Sequence, residues 1–163
     1  LNMFKATIFN VNIANTIREL KSVSFDHVFM NPPYFKQNSV KESHILSSHQ
    51  ARVESMPLSA WISVAKNRCK PNGKITIIQR VERLPDILKC LDGYFGQVTV
   101  QPISSFKDTS PKTVIVQATK TSGAAFKLLA PKIVHRRDGI SGKVVYEAEF
   151  EKILRYGHPL QLN

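Results

Sequence analysis

Lys74-Ile75-Thr76-Ile77-Ile78-Gln79 is an almost unbroken apolar run without the alternation of a strand that has one wet face. Such a strand is covered on both sides, as in a parallel sheet packed between helices. The flanking segments agree. Before it, Leu58, Trp61, Ile62, Ala65 and Cys69 recur at helical spacing, and Lys70-Pro71-Asn72-Gly73 reads as the stop. After it, Leu84, Ile87, Leu88 and Leu91 predict a second helix, closed by Asp92-Gly93. Further upstream, Ala6 to Ile13 reads as a strand, Ile13, Ile17 and Leu20 as a short helix, and Phe25 to Met30 as a strand halted by Pro32-Pro33. Two more strands, Gln97 to Ile103 and Lys112 to Thr119, have only a polar loop with Asp108 and Pro111 between them. The sequence therefore predicts an α/β fold in three layers, with a mainly parallel sheet and an antiparallel C-terminal edge. Residues 36–55 are polar and predict an irregular excursion, with one helical turn near Ser48 to Glu54. Residues 1–122 are assigned to the sheet. Residues 123–163 form an appendage of the same domain, extended over Phe126 to His135 and helical over Glu147 to Tyr156.

Charge says what such a sheet would meet. Among 163 residues there are 23 Lys and Arg against 12 Asp and Glu, a net +11. That balance attracts polyanions, with nucleic acid the first candidate and a generally basic surface the alternative. No basic amphipathic helix with a strong Trp or Phe face points to a membrane surface. No apolar stretch reaches the ~20 residues of a spanning helix. The opening Leu1 to Lys5 is too polar for a signal peptide. Cys69 and Cys90 make neither a disulfide framework nor a zinc site, and read as reduced thiols of a cytoplasmic protein. His44, His49, His135 and His158 lack metal-ligand spacing, so no metal is expected.

Asn31-Pro32-Pro33-Tyr34 follows the Phe25–Met30 strand directly. Ligands of open parallel sheets bind beyond the carboxyl ends of the strands, so chemistry is expected here. The prolines stiffen extended backbone and remove two amide donors, leaving carbonyls to accept. Asn31 both donates and accepts. Tyr34 offers a face on which a base can stack, worth about 1–3 kcal/mol. Together these groups could grip a planar ring and align its exocyclic amine. The alternative is a strand-ending turn in which Tyr34 merely packs. Elsewhere, His27 is expected to be a packed histidine, Trp61 a core residue and Asp26 an orienting group at its strand.

The stretch Phe25 to Phe35 resembles motif IV of the class I S-adenosylmethionine-dependent amino-methyltransferases. Over nearly the whole chain the similarity is greatest to the bacterial tRNA-valine adenine methyltransferases. It is carried by Ala51-Arg52-Val53-Glu54, Leu58 to Trp61, Lys70 to Lys74, Leu128 to His135 and Tyr146 to Glu149. The resemblance implies a Rossmann-like sheet, S-adenosylmethionine as cofactor, and methyl transfer to the exocyclic amine of an adenine in tRNA. Motif IV is shared with enzymes of DNA, ribosomal RNA and protein glutamine, which stay open as substrates. In this family a glycine-rich turn that holds the cofactor precedes motif IV. Here all seven glycines lie at Gly73 or later, which implies an N-terminally truncated form, about the last two-thirds of the family fold. A non-catalytic RNA-binding remnant is the alternative that this leaves open.

The same resemblance assigns roles. The Asn31 side chain and the Pro32 carbonyl would accept hydrogen bonds from the amine, beside Pro33, while Tyr34 stacks and Phe35 walls the pocket. Asn31 would also face the cofactor, together with Asn12, which stands where the family usually carries an acidic residue. His49 and Arg52 fall where the family meets its substrate, with a solvated loop as the alternative. Arg136 and Arg137, with Lys127 and Lys132, form a basic cluster suited to phosphates, or else a solvated face. A sheet lacking its first strands would expose apolar edges, so a homodimer through the exposed edge is expected.

Overall fold

A computed structural model describes residues 20–33 and 56–162. The expected strand at Ala6 to Ile13, most of the helix after it, and the 36–55 excursion lie outside the described residues. The main sheet holds β1 (Phe25–Met30), β2 (Cys69–Arg80), β3 (Phe95–Ser104), β4 (Thr113–Lys120), β5 (Lys127–Leu128) and β6 (Lys132–Ile133). Their order is β1-β2-β4-β3-β5, with β6 also on β3. β1 and β2 are parallel, β4 is antiparallel to both β2 and β3, and β5 and β6 are parallel to β3. β3 therefore runs with β1. The expected antiparallel strand is β4, and it lies between β2 and β3.

Strand alternation decides the two faces. Ile75 and Ile77 sit opposite Ala118 and Val116, and Met30 and Val100 join them from β1 and β3. These side chains are buried with Leu58, Ile62 and Ala65 of α1 (Leu58–Arg68) and Ile87 and Leu91 of α2 (Leu84–Leu91). Trp61 packs partly buried against this cluster, in line with its helical spacing. On the opposite face His27 Nε2 and Thr76 Oγ1 are bonded at 2.8 Å, and Gln117 Nε2 donates to the same hydroxyl at 3.2 Å. His27 is thus exposed and hydrogen-bonded rather than packed. Phe29 on this face is 61% exposed. The layer that the sequence predicts over it lies outside the described residues.

One expected helix stop is something else. α1 ends at Arg68, and Lys70-Pro71-Asn72-Gly73 belongs to β2, beside a register shift between Phe25 and His27 of β1. Asn72 has a φ of 59°, and a Cβ on Gly73 would come 2.8 Å from Cys69 Sγ. Residues with the chemistry of a turn here form an irregularity inside a ladder. Lys70 Nζ bridges to Asp26 at 2.9 Å and holds its carboxyl below the usual range, which ties the start of β1 to β2. Lys66 and Arg68 complement the carbonyl end of α1. The Arg68 guanidinium also donates to the Leu20 and Lys21 carbonyls, anchoring the chain that leads into β1.

The appendage is more sheet-like than its sequence suggests. β5 and β6 extend the main sheet along β3. Gln101 Nε2 pins the chain between them by donating to Ala130 O at 2.7 Å. Beyond β6 comes an unforeseen hairpin of β7 (His135–Arg137) and β8 (Val144–Tyr146), then α3 (Ala148–Tyr156). Gly157 closes α3 with a φ of 68°, as a left-handed cap does.

Candidate active site

Because β1, β2 and β3 run the same way, Met30, Arg80 and Ser104 end at one edge of the sheet. Asn31-Pro32-Pro33 leaves β1 at that edge, with Asn31 exposed and Pro32 buried. The last β1–β2 pairing is Met30 with Ile77. Beyond it neither proline has an N–H to give, and their carbonyls need donors. Gln79 supplies them. It follows Ile77 by two residues, so it points to the same face, and it is 0% exposed. Its Nε2 donates to Pro32 O at 3.2 Å and to Pro33 O at 3.1 Å. Its Oε1 accepts the Arg80 backbone N–H at 2.9 Å.

The orientation of the amide is fixed by chemistry, since two carbonyls can be met only by the NH2 end. Both amide protons are then used. Each carbonyl oxygen keeps a second lone pair, so the bond from Gln79 fixes Pro32 O without exhausting its capacity to accept. Sequence reasoning passed over Gln79. The available signal was a carboxamide ending an apolar run, on the face that β2 turns to the core. Beside it, the Arg80 guanidinium forks the Glu82 carboxylate at 3.1 and 3.2 Å and holds that carboxyl below its usual range.

The structure therefore brings together Asn31, Pro32 and Pro33. Asn12, Tyr34, Phe35, His49 and Arg52 lie outside the described residues. Arg136 and Arg137 sit on β7, at the same edge but across the sheet. Lys132 is taken up by Glu149 at 2.6 Å. Burial pushes the thiols of Cys69 and Cys90 up, away from nucleophilic use. Among the described residues no cluster of His, Cys, Asp and Glu could hold a metal, and no helix is long and apolar enough to cross a membrane.

The hairpin turn is held by Asp138. Its Oδ1 accepts from the Ile140 and Ser141 backbone at 3.2 and 2.7 Å and from Ser141 Oγ at 2.7 Å. These bonds, the Ser141 N–H first, favour the carboxylate and lower its pKa from 3.8. A lowered value means that the turn is fully supported above pH 3.8 and loses that support as pH falls through the folded-state pKa. The Ile140 and Ser141 amide resonances should hence report an opening of the turn in acid. Asp138→Ala should remove this pH dependence, leaving the turn to the backbone bonds from Asp138 N to Lys143 O and from Gly142 N to Asp138 O.

No protein-family profile matches this chain, and neither does any curated protein. Solved structures do. A predicted O-methyltransferase from Agrobacterium tumefaciens superposes with a TM-score of 0.66 at 19% identity, over 88% of this chain and 60% of that one. The chain thus spans about three-fifths of that relative's length. A structure of a type I restriction–modification system (TM-score 0.44, 18% identity, 80% of this chain and 27% of that one) superposes less well. So does M1.HpyAVI (TM-score 0.43, 14% identity, 78% and 68%). The first of these likenesses shows the fold, an α/β sheet shared with that predicted O-methyltransferase.

Proposed function

We propose that the protein is an S-adenosylmethionine-dependent methyltransferase that methylates the exocyclic amine of an adenine in tRNA. The observation that carries this is the Asn31-Pro32-Pro33 segment at the carboxyl edge of a methyltransferase-type sheet, with Gln79 donating to both proline carbonyls. When bound, the cofactor supplies an electrophilic methyl group on a sulfonium. The described residues fit its reactive end, because Asn31 is exposed at the edge where the parallel strands open, and its carboxamide is neutral. Asn31 and Asn12 are the residues assigned to hold it.

The chain's own part is positioning. The Asn31 side-chain oxygen and the Pro32 carbonyl accept the two N–H bonds of the amine. That draws the protons aside and localises the nitrogen lone pair for in-line attack. Holding the amine this way converts an encounter into an oriented contact, which is where most of the rate would arise. The amine loses its proton to water after transfer, so no general base is needed. Tyr34 would stack on the base, with Phe35, His49 and Arg52 around the substrate. An adenine in an unpaired loop costs less to extrude than one in a duplex. The net +11 charge supports a nucleic-acid substrate. A second copy would pair along the outer edge of β1, where Phe25 and Phe29 are exposed. Calorimetric titration with S-adenosylhomocysteine tests the cofactor assignment. Binding in the micromolar range is expected, and its absence would contradict the reading.

A further inference from the structure

The edge that carries Asn31 also carries an aromatic and cationic surface. Val134 N donates to Ser104 O and His135 N to Ser105 O, both at 2.9 Å, so β7 begins where β3 ends. Four inter-strand steps, from β1 through β2, β4 and β3 to the chain that leads from β6 into β7, separate it from the proline segment, roughly 19 Å at the usual strand spacing. A short stretch of extended strand bridges that distance. There the rings of Phe106, His135 and Tyr146 form a row, with centroids 5.7 and 5.0 Å apart, the second pair stacked. A cavity of about 390 Å³ opens between the Phe106–Thr109 turn and β7, and Lys107, Arg136 and Arg137 line it together with the carboxylates of Asp108 and Glu147. Both supports are preset. Thr109 Oγ1 accepts from Phe106 N at 3.1 Å and donates to Phe106 O at 2.8 Å, and Asp138 ties the hairpin turn. Arg136 reaches Glu147 only at 4.0 Å, and Arg137 is exposed.

We infer that this row is a docking surface for unpaired nucleotides that flank the adenine offered to Asn31. The inference rests on the proposed function for that adenine, but not for the binding itself. A row of aromatic rings takes bases by stacking, which needs them splayed from a helix, while the cations beside it meet phosphates. An acidic peptide would use the cations and leave the row idle.

Fluorescence anisotropy with a short unstructured RNA and a duplex RNA of equal length, from about 50 to 200 mM salt, tests this. Arg136→Ala and Arg137→Ala should each flatten the slope of log affinity against log salt by about 0.7. Tyr146→Ala should weaken single-strand binding roughly 5- to 150-fold without changing that slope. Tyr146→Phe, which keeps the ring, should bind as the parent does and exclude misfolding as the cause. Equal affinity for duplex and single strand, with Tyr146→Ala silent and the slope unmoved in both arginine variants, would overturn the inference. The readout needs no cofactor and no methyl transfer. RNA binding that responds to these variants in a protein without methyltransferase activity would therefore defeat only the proposed reaction. Methylation that survives with binding unmoved would defeat only the docking surface.

Discussion

Replacing Gln79 with Leu should destabilise the protein by about 1–3 kcal/mol, because two carbonyls at a buried position lose their donor and the Arg80 N–H loses its acceptor. Packing volume is nearly kept, so the loss is one of hydrogen bonds. If Asn31 and Pro32 hold an amine, the effect on methyl transfer should exceed the effect on stability. A displacement of about 1 Å in a positioning element can cost a hundredfold in rate. We expect kcat to fall by that order while KM moves little. Gln79→Glu separates anchoring from packing. A carboxylate facing two carbonyl oxygens is repelled, whereas the protonated acid can donate to one. Its folded-state pKa should rise above the unfolded value of about 4.3. The penalty against wild type should be small below that pH and grow as pH rises through the folded value. Denaturant midpoints across pH measure it, and a pH-independent penalty would contradict the donor role.

Asn31→Ala is expected to abolish methyl transfer, with a loss of roughly 100- to 1,000-fold or more in kcat, the scale for removing one aimed hydrogen-bonding group from a reacting centre. Asn31 is exposed and lies beyond the last β1–β2 pairing, so stability should stay within about 0.5 kcal/mol. Nucleic-acid affinity should be nearly unchanged, since Asn31 supplies one hydrogen bond beside the proposed stacking and phosphate contacts, which the substitution leaves in place. Parallel loss of binding and rate would sink the assigned role. The contrast with Gln79 is informative: one residue is accessible and stability-neutral, the other buried and costly, yet both act on the same proline segment.

The sheet was legible because its strands announce themselves twice, by apolar runs and by what stops them. Ile75 and Ile77 are buried as the Lys74–Gln79 run implies, and Asp92-Gly93 closes α2 as written. Legibility fails where one local signal serves two structures. Pro71-Asn72-Gly73 has the chemistry of a helix stop, and only pairing with β1 makes it an irregularity within a strand. The hairpin was missed because three-residue strands bear no periodicity, and one of them, His135-Arg136-Arg137, has no apolar residue. Gln79 was missed for a different reason. A glutamine at a strand end is ordinary in sequence, and its meaning comes from two carbonyls 46 and 47 residues away in the chain. The proline segment was found from sequence since its peculiarity, two missing donors after a strand, is covalent. The donor that answers it is a tertiary fact.

The most direct measurement is to incubate the protein with tRNA and S-adenosylmethionine carrying a deuterated methyl group, then digest the RNA and weigh its nucleosides. The heavy methyl is expected on the N6 amine of adenosine, and it should disappear with Asn31→Ala. Label on a hydroxyl, on protein, or on no nucleoside of the RNA would contradict the proposed function.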